Sequence, residues 1–522
     1  MANVSRRSLL TGALGGAGLV ALGQSTSVAA GATPSLVRGR STLPSGVQAG
    51  DVTSRSAVVW SRSDRPGRMV VRLTSGGRRG SWRELAGPWA TPRSDLTAKL
   101  ELKGLAPGRD YEYRVQFEDL DGHRGEVGVG HLSTAAVHDA PTSFVWTGDT
   151  AGQGWGINPD LGGMVAYRAM HELRPDFLIH SGDNIYADGP IQERVVEPDG
   201  QVWRNVVTPQ VAKVAESLDE FRGRYRYNLM DRNLRGMYAD VPVISQWDDH
   251  ETTNNWYPGE VLTDPRYTQE RRVDVLATRA RQAFFEFMPI ADRHGRGVHD
   301  LGQAPRVYRK VERGAHLDVF SLDMRTYRGA NTPSLEKQRT AFLGTEQVDW
   351  LLRELSRSRA TWKVVAADMP IGIIVPDGTD IEAIANRDPG APLGRELEIA
   401  YLLSEIKRRR ITGVVWFTAD VHYCAAHYYD PAKAAFSDFD GFHEFVAGPI
   451  SAGGFGPNQM DATFGPQVLF QGLPRYANQS PRDQKAMFFG YTEVDRAGTM
   501  TVSLRNGLGE ILYTKELAPQ GR

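Results

Sequence analysis

Asp176-Phe177-Leu178-Ile179-His180-Ser181-Gly182-Asp183-Asn184-Ile185-Tyr186 is the stretch that decides how this chain folds. An apolar run, too short for a helix, breaks at Gly182 and then presents a carboxylate, an amide and a phenol. Other runs repeat the design. Ser143–Thr147 leads into Gly148-Asp149, and Val243–Trp247 into Asp248-Asp249-His250-Glu251, followed by Asn254-Asn255. Val364–Ala366 leads to Asp368, and Val414–Phe417 to Asp420-Val421-His422. Continuous apolar strands are the mark of sheets covered on both faces, and ligands bind at the carboxyl ends of such strands.

Helical patterns separate these runs. Met164–Leu173 reads as a short helix. Ser217 with Glu220 forms a capping box ahead of Phe221, Tyr225 and Leu229, which share one helical face. Thr345 is placed to cap a helix striped by Val348, Leu351, Leu352 and Leu355. Phe488–Leu517 is β-rich, with turns at Gly498 and Asn506-Gly507, and the Pro/Gly/Asp-rich stretch 374–394 reads as a long surface loop.

Upstream, residues 41–135 read as all-β. Ser56–Trp60 and Met69–Leu73 flank the turn Asp64-Arg65-Pro66-Gly67. Pro107-Gly108 feeds a strand whose Tyr111, Tyr113 and Val115 share one face, much like the tyrosine corner of fibronectin III-like sandwiches. The expectation is an N-terminal all-β sandwich at 41–135 followed by an α/β domain at 140–522 with central, mostly buried sheets. A chain of 522 residues exceeds one ordinary core, in keeping with two units.

Residues 1–32 are a separate object. Arg6-Arg7 precede a Gly/Ala/Leu/Val run, and small residues follow at Ser27–Ala30. That order is the anatomy of an export signal, and the paired arginines resemble the twin-arginine type. The expected location is secreted or cell-envelope in a bacterium, with the twin-arginine machinery as a partner. One cysteine, Cys424, leaves no internal disulfide, so stability must come from the core and from metal. A formal charge of −1 without a sustained basic block disfavours nucleic acid as a partner.

Asp, His and Tyr at several strand ends suit hard or borderline cations, and one shared carboxylate can bridge two ions about 3.5–4 Å apart. Asp248-Asp249-His250-Glu251 is the most telling string, since acids at such density repel one another unless cations or solvent compensate. His180 and Cys424 read as core residues. No Gly-x-Ser-x-Gly elbow follows a strand, which disfavours a serine hydrolase.

With Ser-Gly-Asp183-Asn-Ile-Tyr186, Trp247-Asp-Asp-His250-Glu251 with Asn254-Asn255-Trp256, and Ala419-Asp420-Val-His422, the chain resembles the PhoD-type alkaline phosphatases and phosphodiesterases. These belong to the calcineurin-like metallophosphoesterases and are close in chemistry to purple acid phosphatases. Asp323-Met-Arg325 with Arg328, and Leu343-Gly-Thr-Glu-Gln347, also look like that family.

The resemblance implies that Asp149, Asp183, Tyr186 and His422 hold a ferric ion. Asp183 would bridge to a calcium completed by Asp249 and Asp420. His250 would steady the phosphate or protonate the leaving group, with Arg325 and Arg328 as candidates for phosphate contact or support of the ligands. Where the family often carries cysteine this chain has Gly148-Asp149, which opens the first site to manganese, zinc or a differently tuned iron. Asp368 stands where a further ligand could come from.

The implied activity is hydrolysis of phosphate monoesters by a metal-bound hydroxide, with a small phosphate ester as substrate. The alternatives are a phosphodiesterase of phospholipase D type acting on a phospholipid headgroup and, from another class, a secreted binding protein with an inactive metal site.

Overall fold

The computed structural model describes residues 39–75, 82–291 and 305–520; the expected export signal at 1–32 lies outside them. The apolar runs form the middle of two sheets. One has nine strands, in the order Ile511–Leu517, Met500–Asn506, Phe488–Val494, Thr142–Thr147, Phe177–Ser181, Val243–Gln246, Val47–Gly50, Ser56–Arg62 and Thr97–Lys103. The other has seven, in the order Arg309–Glu312, Leu317–Ser321, Trp362–Ala366, Val414–Thr418, Phe442–Val446, Cys424–Tyr429 and Pro466–Gly472. Thr142–Thr147, Phe177–Ser181 and Val243–Gln246 are mutually parallel, as are Leu317–Ser321, Trp362–Ala366, Val414–Thr418 and Phe442–Val446.

The sheets pack face to face through Phe144, Trp146, Ile179, Val364, Phe417 and Phe445. Helices Val165–Glu172, Leu218–Asn228, Arg232–Asp240 and Val273–Phe287 bury their apolar faces on the outer side of the first sheet. Thr345–Arg357 and Glu396–Arg408 do the same for the second. Both faces of every central strand are therefore dry, which is why these strands read as unbroken apolar runs.

In the segment 41–135, the sheet Arg83–Ala90, Gly67–Ser75, Asp110–Glu118, Gly128–Ser133 faces the three strands Val47–Gly50, Ser56–Arg62 and Thr97–Lys103 around a core of its own. The Tyr111 hydroxyl accepts a hydrogen bond from the Ala106 amide at 2.8 Å, tying the corner back on itself. Hydrogen bonding continues from this segment into the remainder: Gly50 pairs in parallel with Val243. Buried Arg309 grips Asp51 through Nε and Nη2 at 2.8–3.0 Å.

Two local expectations are corrected. The cap of helix Thr345–Arg357 is Gly344, at φ 79°, and Thr345 makes no cap bond. The stretch 374–394 is not simply a surface loop, because 381–386 is buried. Its Glu382 lies against Arg325 and Arg328, and the Arg395 guanidinium donates to the carbonyls of Ile381, Glu382 and Ala383. The composition of that stretch gave no sign of buried ion pairs.

Candidate active site

Asp149, Asp183 and Asp420 each follow the end of a parallel strand and each adopts a left-handed backbone, at φ 67°, 51° and 63°. Aspartate enters that region more readily than most residues, because its short side chain can bond locally, and such strain collects at functional sites. The turn lets each strand stop sharply while its carboxylate faces the same hollow. Gly182, at φ 100°, makes one of these turns, where a Cβ would come within 2.5 Å of the Asp248 Cβ. Gly448 passes so close to Asp149 that a Cβ would sit 2.2 Å from Oδ2.

Three overlapping groups result, in each of which one ligand atom per residue lies within 4.8 Å of the others: Asp149, Asp183 and His422; Asp183, Asp249 and His250; and Asp248, Asp249 and Asp420. Asp183 is common to the first two. Tyr186 joins the first group through its hydroxyl, 3.0 Å from His422 Nε2. The other nitrogen of His422 is bound to the Gly453 carbonyl, which leaves Nε2 facing the group. Asp149, Asp183, Tyr186, Asp249, Asp420 and His422, the candidates singled out in the sequence, thus lie close together.

Glu251 makes the assembly possible. Its carboxylate accepts from the backbone amides of Asp183, Asn184 and Asp248 at 3.1, 2.6 and 2.7 Å, stapling two strand ends together. The sequence showed an acid there but not that it faces backbone rather than metal.

Asp188 was missed altogether. Its Oδ1 lies 2.8 Å from His250 Nδ1, its Oδ2 accepts from the Asn254 amide at 2.9 Å, and the His250 ring stacks on Tyr186 at 4.1 Å. An acid two residues beyond Tyr186 was the available signal. Beside Tyr186, Asp188 and His250 opens a cavity of ≈ 470 Å³, walled further by Thr253, Leu262 and Tyr267.

Burial raises the pKa of Asp149, Asp183 and Asp420, and neighbouring carboxylates add to it. Burial lifts Glu251 to about 8. Burial opposes charge on Asp249 too, yet His250, Arg325 and the amides of Asn255 and His250 hold its pKa below the ordinary value. For His250 burial works against the cation, but Asp188 and Asp249 outweigh it and raise the pKa to about 10. His422, desolvated, falls to about 4, as suits a neutral ligand. Both oxygens of Asp149 and of Asp368 are buried without a hydrogen-bond partner. Buried carboxylates in that state call for a cation, and the oxygen-rich, imidazole-containing donor set fits hard or borderline metals.

Of the two roles open to Arg325 and Arg328, phosphate contact or support of the ligands, their burial fits the second: Arg325 is completely buried beside the acids, and Arg328 nearly so. The Arg325 guanidinium is committed to Asp248 and Glu382. His180 is a core residue bonded to Thr150 and Tyr167, and Cys424 is buried.

Residues 144–508 match the family model of the PhoD-like phosphatases, and residues 28–136 that of the PhoD-like phosphatase N-terminal domain. The chain is similar to alkaline phosphatase D of Bacillus subtilis (strain 168), at 28% identity over 445 residues, covering 80% of this chain and 71% of the relative. Among solved structures it resembles PhoD, with TM-score 0.67 and 21% identity over 91% of this chain and 89% of the other. It also resembles a purple acid phosphatase from yellow lupin (Lupinus luteus) seeds, with TM-score 0.53 and 12% identity over 92% and 74%.

Proposed function

The chain belongs to the PhoD-like phosphatase family and is a phosphoric ester hydrolase; from that premise we propose that it cleaves phosphate monoesters at a site holding two metal ions. The observation that carries the reading is Asp183, which lies with Asp149 and His422 on one side and with Asp249 on the other. One carboxylate common to two donor sets is the arrangement that bridges paired ions. Tyr186 favours a hard trivalent ion in the first group. We take iron and calcium as the pair, with manganese or zinc as substitutes, and Asp420 as a further ligand of the second ion.

When bound, such ions lower the pKa of water and offset charge on the phosphoryl group. The rest falls to the chain. Asp149, Asp183, Asp249, Asp420 and His422 fix where the phosphoryl group sits. His250, kept cationic by Asp188 and Asp249, gives a proton to the departing alcohol oxygen. The Tyr186 ring holds the imidazole flat, and the adjoining cavity receives the alcohol.

We also propose export through the twin-arginine route, on Arg6-Arg7 and the apolar run after them. Among the described residues no helix is long and apolar enough to cross a membrane.

The test joins metal analysis of protein purified without chelator to hydrolysis of p-nitrophenyl phosphate, bis-p-nitrophenyl phosphate and phosphatidylcholine. Metal near two per chain with preference for the first substrate is expected. Preference for either diester overturns the monoesterase reading, and metal-free, fully active protein overturns the metal reading.

A further inference from the structure

Asp323-Met324-Arg325 and Gln347 enter no step above, yet they converge on the back of the acid cluster. The Arg325 side chain has 0% exposure, and its Nε donates to Asp248 Oδ1 at 2.6 Å. The same guanidinium lies 3.8 Å from Asp249 Oδ1 and 3.8 Å from Asp368 Oδ2, and its far side meets Glu382. Among the described residues Arg325 is the only cation paired with Asp248 or with Asp368.

Its position is set from behind. The Asp323 carboxylate accepts from the amides of Arg325 and Thr326 at 3.2 and 2.9 Å, and from Trp247 Nε1 at 2.9 Å. Gln347 then locks Asp323 with a reciprocal pair, accepting from its amide and donating to its carbonyl, both at 2.8 Å. None of these contacts involves a metal ligand's carboxylate. They fix the backbone from which Arg325 projects, and the guanidinium itself is held by Asp248 and Glu382.

We propose that Arg325 is a permanent counter-cation: a positioning residue that lets Asp248, Asp249 and Asp368 come together in the metal-free protein and limits how tightly their pocket binds a cation. The inference rests on the proposed metal site, in which Asp249 is a ligand and Asp248 belongs to the same carboxylate group. Buried like charges repel strongly, and removing Arg325 leaves Asp248 and Asp368 without a cation partner and Asp249 with His250 alone. Arginine suits the role better than lysine, since it does not give up its proton when a metal arrives nearby.

The two consequences have opposite signs, which separates them from loss of packing. Arg325→Met and Arg325→Lys are compared with the unsubstituted full chain after EDTA treatment, by thermal melting with and without Ca2+ and by calorimetric Ca2+ titration. In Arg325→Met the metal-free Tm is expected to fall by about 5 °C or more, with Ca2+ restoring most of the loss. Ca2+ should bind Arg325→Met at least about tenfold more tightly, because a repelling charge is gone. Folding of that variant only in the presence of Ca2+ supports the proposal equally.

Arg325→Lys should keep most of the metal-free stability and near-normal Ca2+ affinity. It decides the matter if the Met variant does not fold at all. Equal loss of Tm with and without Ca2+, or weaker Ca2+ binding by either variant, overturns the proposal. If the unsubstituted chain neither binds Ca2+ nor gains stability from it, this inference is overturned, while the metal reading stands or falls on the metal analysis.

Discussion

His250 Nδ1 and Asp188 Oδ1 stand 2.8 Å apart, so one nitrogen of the imidazole is fixed and the other is turned toward the acid cluster, 4.0 Å from Asp249. Two residues far apart in sequence thus form an oriented proton donor beside a cavity. Asp188→Asn keeps the shape but not the charge. Its kcat should fall by about 10- to 100-fold on alkyl phosphates and by clearly less on p-nitrophenyl phosphate, whose leaving group needs little protonation. Equal losses on both substrates would show that Asp188 serves folding alone.

Asp183→Asn should remove the bridge. Activity is expected to drop by at least about 10³-fold, with metal content falling in parallel when the purified variant is analysed. Tyr186→Phe should act on the first group alone, lowering its metal occupancy and abolishing any visible colour that a ferric–phenolate contact produces.

In the metal-free protein, stability should fall as pH rises. Asp149, Asp183, Asp368 and Asp420 have folded pKa values above their unfolded ones, and Glu251 reaches about 8, chiefly through burial. A group shifted upward binds its proton more tightly when folded. Its contribution is full below the unfolded value and is lost as pH climbs through the folded one. Melts in EDTA from about pH 5 to about pH 9 should show declining Tm, and saturating metal should remove that decline, since bound cations keep the carboxylates ionised.

Arg309→Ala should destabilise the whole molecule by about 3–5 kcal/mol, because it strands Asp51 as an uncompensated buried charge. Asp51 lies directly after Val47–Gly50, the strand that links residues 41–135 to the remainder. Urea unfolding followed by both tryptophan fluorescence and circular dichroism should then show one shared transition at lower urea.

Much was legible from strand ends. Asp149, Asp183, Tyr186, Asp249, Asp420 and His422 could be singled out because each follows an apolar run, and the double sheet keeps such runs parallel, with their carboxyl ends together. Tyr111 was legible too, since a turn and an alternating strand fix its face locally. The capping box at Ser217 and Glu220 is likewise a contact between near neighbours in sequence.

By itself, then, the sequence determined which side chains would stand at the carboxyl edge and what kind of ion they suit, because strand periodicity, turns and ligand chemistry are properties of short segments. It took the assembled fold to show that Asp188 faces His250, that Glu251 staples backbone, that Arg325 pairs with Asp248, and that 381–386 is buried. Those outcomes depend on charges brought together from segments dozens of residues apart. Their energies exist only once water has been excluded from between them.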